Sequence, residues 1–233
     1  MGSIKDERGY NQGFERTATF HKRIERRATW MLQEMSQLNS KSQILEIGCG
    51  TGEISNFLAK HTPAKITGID ISESFIELAN KDYLHPNLTF KVEDFLKSDL
   101  KPNTFDYIVG NGILHHLYYN LDESLIRIRE VLKHKGKIIF LEPNIYNPYC
   151  FLIFKYLRQW AKLDPEEMAF SRKFIKNKLL QNFYSNIKAN YKDFLVPVTP
   201  FFMVPFVSSV SNFAEKIFPI NRISQSIYIV AVK

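Results

Sequence analysis

Three glycines at alternate positions, Gly48, Gly50 and Gly52, follow the apolar run Gln43-Ile44-Leu45-Glu46-Ile47 and open a helical pattern. Glycine in such a turn permits positive φ and lets a ligand come close to the backbone. The spacing excludes two common nucleotide sites. A dinucleotide fingerprint would place its third glycine at position 53, which is Glu53, and a phosphate loop would need Gly-Lys-Ser/Thr, which is absent here. Carboxylates recur around the turn. Asp70 closes the strand-like run Lys65–Asp70, 18 residues past Gly52, where an acid can accept from both hydroxyls of a ribose. Asp94 follows the run Leu88–Val92, where an acid can accept from an adenine amino group. Glu46 stands just before the first glycine. Carboxylates beside the turn disfavour a pyrophosphate and favour a cation. The set asks for an adenosine without phosphates that carries positive charge.

The elements that must hold these groups alternate along the chain. An amphipathic helix is expected over 16–38, with Phe20, Ile24, Ala28, Met31, Leu32, Met35 and Leu38 on one side and Lys22, Arg23, Glu25, Arg26 and Arg27 on the other faces. Strands are expected at Gln43–Ile47, Lys65–Asp70, Leu88–Val92, Phe105–Val109 and Lys137–Leu141. Helices separate them, with Ser72 and Asp122 as caps and one helix stopping near Gly136. This alternation argues a parallel sheet with right-handed crossovers. Beyond it, residues 149–163, 171–184 and 206–217 read as helices, with Ser171 as a cap, and Ile187–Val196 and Ser224–Val232 read as two further strands. The expected organisation is an N-terminal helical lid over 1–42 and a cofactor-binding core over 43–143. A helical and aromatic cap containing the sixth strand spans 144–223, and 224–233 forms the final strand.

A cationic adenosine without phosphates describes S-adenosylmethionine. Glu46-Ile47-Gly48-Cys49-Gly50-Thr51-Gly52 resembles the first motif of the class I S-adenosylmethionine-dependent methyltransferases. Asp70, Glu93-Asp94-Phe95 and Asn111-Gly112-Ile113-Leu114-His115-His116 resemble the later motifs in order and spacing, and Val131–Ile139 resembles the helix-turn-strand that closes the shared core. The resemblance implies a Rossmann-like, doubly wound α/β fold: a mostly parallel, seven-stranded sheet with helices on both faces, plus helical cap elements. It also implies that the backbone of Gly48-Cys49-Gly50-Thr51-Gly52 cradles the methionine part, with Glu46 beside it and Asn111 flanking the methionine end. Asp70 would hold the ribose, Ile71 would pack on the adenine, and Asp94 and Phe95 would address its ring. Tyr10 and His21 would lie in a covering lid. The demethylated product would be S-adenosylhomocysteine.

Methyl transfer is an in-line displacement at a carbon already activated by positive sulfur, so positioning supplies most of the acceleration. A base is required only when the acceptor must lose a proton, as a hydroxyl does. His115, His116 and Glu142 follow the fourth and fifth strands at the ligand-binding edge and are the candidates. The six histidines are otherwise scattered, so no metal site is expected.

Charge and aromatics point to the acceptor side. Residues 43–143 carry 11 basic and 14 acidic groups, whereas residues 144–233 carry 12 basic and 5 acidic. The net charge of +7 is therefore regional, and a nucleic-acid partner is not favoured. Nineteen phenylalanines are unusual, and many fall in two uncharged runs, Asn144–Phe154 and Phe194–Ala214. Pro197, Pro200 and Pro205 argue against a transmembrane helix in the second run. Both runs should leave the sheet at the ligand edge, flanking the acceptor pocket. Nearby lie Lys155, Arg158, Lys162, Arg172, Lys173, Lys176 and Lys178. Three readings fit: a helical cap with its own small core, an apolar acceptor mouth resting on an anionic membrane, or an apolar protein interface. Cys49 and Cys150 are too few for a disulfide framework, and residues 1–8 contain no apolar signal region. A cytoplasmic enzyme, possible to place against the inner membrane face, follows. The expected reaction is methylation of a small molecule, a hydroxyl on a hydrophobic, lipid-linked, glycan or natural-product acceptor. An RNA or protein methyltransferase would carry a continuous basic groove, and a non-catalytic descendant would carry eroded motifs. Neither is seen.

Overall fold

The computed structural model describes residues 16–233 apart from 160, 162, 164–166, 197 and 198. Tyr10, Lys162 and Pro197, named above, lie outside the described residues. Seven strands form one sheet in the order β3-β2-β1-β4-β5-β7-β6. They are β1 (Gln43–Ile47), β2 (Lys65–Asp70), β3 (Leu88–Val92), β4 (Phe105–Asn111), β5 (Leu132–Pro143), β6 (Ser185–Lys192) and β7 (Ser226–Val232). The first five pair parallel, and β7 runs antiparallel between β5 and β6. Because β7 reverses against both neighbours, β6 points the same way as β5. The segments after β5 and β6 therefore leave at one edge, as expected.

Helices α1 (Ala18–Gln33), α2 (Glu53–His61), α3 (Glu73–Asp82), α4 (Leu121–Val131), α5 (Pro148–Lys155), α6 (Arg172–Gln181) and α7 (Val204–Ala214) complete the chain. Two apolar layers sandwich the sheet. One centres on Leu45, Ile108, Phe140 and Leu125, the other on Met31, Ile44, Leu58 and Ile139. Ile44 and Leu45 are neighbours in one strand and serve opposite layers, as strand alternation requires.

Several local expectations are corrected. Asn120, not Asp122, precedes α4. Asp122 sits within the first turn and accepts from Lys178 of α6 and from Asn182 just after it. The helix ends at Val131, and Leu132 already pairs with Phe105, so β5 begins before Gly136. The helix expected over 149–163 stops at Lys155. Arg23 and Arg27 are buried rather than solvated. In the described part of the uncharged run 194–214, Phe201–Met203 form a short 3-10 turn that leads into the eleven-residue α7. Among the described residues no helix is long and apolar enough to cross a membrane.

Candidate active site

The β1–α2 turn is built on three left-handed glycines, with φ of +64° at Gly48, +52° at Gly50 and +86° at Gly52. Their surroundings differ. A Cβ on Gly48 would come within 2.5 Å of Ile113, and one on Gly52 within 2.6 Å of Phe90. A Cβ on Gly50 would meet nothing within 4 Å. Two glycines thus close the packing, and the middle one faces open space and leaves its backbone accessible to a ligand. Gly50→Ala should therefore fold, at the left-handed cost of about 1–2 kcal/mol, while the added methyl fills the approach to the backbone. The expected result is a modestly lowered melting temperature with cofactor binding lost in calorimetry.

Asp70, at the end of β2, ties the turn down. Its Oδ2 accepts from Gly50 N at 2.9 Å and its Oδ1 from Ser72 N at 2.9 Å. Ile71 beside it is half exposed, an uncovered apolar surface at the same edge. Asp94 is partly exposed and caps the 3-10 turn Phe95–Lys97 by accepting from Leu96 N. Arg16 pairs with Glu53 at 2.7 Å and donates to the Tyr83 hydroxyl at 2.6 Å. The chain therefore enters the described region beside the glycine turn.

Four of the expected cofactor-site residues have buried side chains. Glu46 points into the protein, where Ser55 Oγ donates to it at 2.6 Å. Burial pushes its carboxyl up to about 8, so it carries little negative charge at neutral pH and cannot supply the field assigned to it. Phe95 is buried in the main core, leaving only its backbone for a ligand. Cys49 is buried, and its thiol is held well above the ordinary value by burial and then by Glu46 and Asp70, so it is no nucleophile. Thr51 is likewise buried, its hydroxyl donating to Glu53.

Across the turn, Ile113 packs over Gly48 and leads into the 3-10 turn Leu114–Leu117. Glu142, at the end of β5, is 0% exposed. Its Oε1 accepts from the backbone N–H of Ile113 at 3.1 Å and of Leu114 at 2.9 Å. Its Oε2 accepts from His115 N at 3.2 Å and lies 2.9 Å from His115 Nδ1. A carboxylate so engaged is an orienter, not a free base. It fixes the proton of His115 on Nδ1 and leaves Nε2 as the basic nitrogen. Burial, and then the neighbouring His116, lower the pKa of His115, so the ring is neutral at pH 7.

The described cap closes over this ring. Phe154 of α5 meets it edge-on at 5.8 Å. Glu167 approaches His115 Nε2 at 3.8 Å and His116 Nδ1 at 3.3 Å. Ligand atoms of His115, His116 and Glu167 lie within 4.8 Å of one another, a spacing that would admit a divalent ion. Adjacency in sequence therefore does not keep the two rings from reaching a common point, although the sequence led to the expectation of no metal site.

Asn111, at the end of β4, accepts from Arg27 Nη1 at 2.7 Å. Arg27 also binds Asp193 at 2.9 Å and donates to Gln225 and Ser226, while Arg23 donates to Leu195 O and Gln225. Helix α1 is thereby bolted to the segment after β6. Sequence reasoning missed Glu167, Arg27 and Asp193. For Arg27 a signal existed: it lies about 60° from Ile24 around the helix, inside the apolar face.

Residues 38–193 match the family model described as "Methyltransferase domain". The malonyl-[acyl-carrier protein] O-methyltransferase of Bacillus cereus is 30% identical over 128 residues, covering 54% of this chain and 47% of that protein. Malonyl-[acyl-carrier protein] O-methyltransferase 1 of Ilyobacter polytropus is 31% identical over 191 residues, covering 75% and 64%. The chain thus spans about half the length of the first relative and under two thirds of the second. A solved S-adenosylmethionine-dependent methyltransferase from Archaeoglobus fulgidus superposes with a TM-score of 0.65 at 20% identity, over 91% of this chain and 94% of that one. Glycine turn, sheet order and family match agree: the chain belongs to the methyltransferase domain family, with the class I S-adenosylmethionine-dependent fold.

Proposed function

We propose that this protein methylates a hydroxyl of a small, hydrophobic acceptor, with His115 as the general base. The observation that carries the reading is the engagement of both Glu142 oxygens, which fixes the His115 tautomer and leaves Nε2 toward the cap. S-adenosylmethionine, when bound, supplies a methyl group already activated by the sulfonium charge. The chain's residues have three tasks. The open backbone at Gly50 receives the methionine part, Asp70 and Ile71 hold ribose and adenine, and Asp94 with the Phe95 backbone addresses the ring edge. Asn111, fixed by Arg27, borders the methionine end. His115 Nε2 takes the proton of the acceptor hydroxyl as its oxygen attacks, and the Glu142 carboxylate stabilises the imidazolium that forms. Phe154 and the rest of the cap exclude water.

Titration calorimetry with S-adenosylmethionine and S-adenosylhomocysteine tests the cofactor assignment. The intact protein should bind both, and Asp70→Ala should weaken binding by about tenfold or more, since a charge-assisted hydrogen bond contributes about 1.5–3 kcal/mol. Equal affinity in the variant would remove Asp70 from the site.

A second acceptor class is favoured by the two relatives, which are malonyl-[acyl-carrier protein] O-methyltransferases. A carboxylate acceptor is already ionised and needs no base, so the effect of losing His115 separates the two. The exposed side chains of Phe202, Phe206, Phe213 and Phe218 support a working position at a membrane surface.

A further inference from the structure

Helix α7 is amphipathic in the inverted sense. Val204 and Ser211 face inward, while Phe206, Val210 and Phe213 are exposed at steps of four and three residues, continued by Phe202 in the 3-10 turn before the helix. Phe206 is 68% exposed and Phe213 70%. Phe218, just beyond, is 75% exposed and forms one wall of an open cavity of about 680 Å³. Four cations line that cavity: Arg172, Lys173 and Lys176 from α6, and Arg222 from the turn before β7. No described carboxylate lines it. By contrast Arg158 is spent on the carbonyls of Phe154 and Glu167, and Lys178 on Asp122. The amide oxygen of Asn221, also on the wall, is buried without a hydrogen-bond partner among the described residues.

We propose that this cleft is a binding site for the phosphate-bearing headgroup of an anionic membrane lipid, seated while the phenylalanine stripe enters the interface. The inference rests on the membrane position proposed above and adds to it the site and the lipid chemistry. Exposed aromatic side chains beside four cations that face no carboxylate among the described residues, two of them (Arg172 and Arg222) resting on the Tyr191 and Tyr146 rings, match an anionic bilayer in both apolar and charge character. A phosphate also suits a cavity that offers several cations and an amide able to turn its N–H₂ inward. Tyr146, which follows β5, and Tyr191, near the end of β6, line the same cleft. It therefore opens at the edge of the sheet that carries His115, so docking would place the acceptor mouth against the lipid.

The test is co-sedimentation of the full chain, without cofactor or acceptor, with vesicles of phosphatidylcholine alone and of phosphatidylcholine with 30% phosphatidylglycerol. Marked preference for the second is expected. The exposed-residue variant Lys173→Gln/Lys176→Gln/Arg222→Gln should lose about 100-fold in partitioning onto anionic vesicles, at about fivefold per cation. The variant Phe202→Ser/Phe206→Ser/Phe213→Ser should lose binding to both. Equal binding of the wild type to the two vesicles would overturn the headgroup site and leave the membrane position standing. No binding to either would overturn both. Capture of a purified acidic acyl-carrier protein, abolished by the lysine and arginine variant, together with no vesicle binding, would assign the cleft to that partner instead.

Discussion

His115→Ala is expected to lower the methyl-transfer rate at saturating cofactor by about 10²–10⁴, the usual contribution of a positioned general base, with cofactor affinity unchanged. The expectation rests on a chain of contacts. Glu142 is buried at the end of β5 and holds three backbone N–H groups as well as His115 Nδ1. The turn that carries the ring is therefore fixed by the same carboxylate that sets its tautomer. Burial and His116 lower the pKa of His115 below its ordinary 6.5. A base must be neutral to act, so the rate should be flat at and above neutral pH. It should fall only as pH drops below 6.5, through the lowered value. His115→Ala should remove that acidic limb along with the rate. Glu142→Gln acts through position rather than contact with substrate. Its amide would face the N–H donors with a donor of its own, so the turn loosens and the tautomer is no longer fixed. Most of the rate should be lost there too, and a loss confined to KM would argue for a purely structural role. The measurement is the pH profile of single-turnover methyl transfer for the three proteins. Less than about a tenfold loss in His115→Ala would remove the base and leave the carboxylate-acceptor reading, because positioning then supplies the acceleration.

How far the molecule could be read from its residues depends on the range of the interactions involved. β1, β2 and β3 match their expected limits because their signals are local: apolar runs ended by glycine or a carboxylate. The caps at Ser72 and Ser171 are local for the same reason, a hydroxyl accepting from the N–H three residues on. Glu46 was misjudged although it lies within the motif. In a strand covered on both faces, proximity in sequence to the turn does not determine which way a side chain points, and this one points at Ser55. Asp122 looked like a cap because nothing local announces Lys178 and Asn182, more than fifty residues on. His115 and Glu142 were named individually, but their relation was not. It depends on the register that pairs β4 with β5 and brings the end of one beside the end of the other.

Arg27→Met should cost about 3–5 kcal/mol of stability, because it strands a buried charge. Asp193 is wholly buried, and Arg27 is its close partner at 2.9 Å, with Arg26 only at 4.0 Å. The remaining donor to its Oδ1, the backbone N–H of Leu195, is neutral. Ser226, at the start of β7, loses its arginine donor in the same step, and Gln225 just before it keeps Arg23 but loses Arg27. For a chain of this length each kcal/mol corresponds to about 2–4 °C, so melting should fall by roughly 6–20 °C. The double variant Arg27→Met/Asp193→Asn should recover much of that loss, since the amide leaves no buried charge unpaired, can still accept from Leu195 N and tolerates the left-handed φ of +70° at this position. Activity separates the two roles of the arginine. The double variant restores packing between α1 and the segment after β6, but nothing then holds Asn111, which accepted from Arg27 Nη1. It should therefore be stable and still bind cofactor more weakly than the wild type. A double variant with wild-type affinity would make Arg27 a bolt between α1 and the cap and nothing more. Recovery of affinity without recovery of melting temperature would place the cost of the single change outside the ion pair.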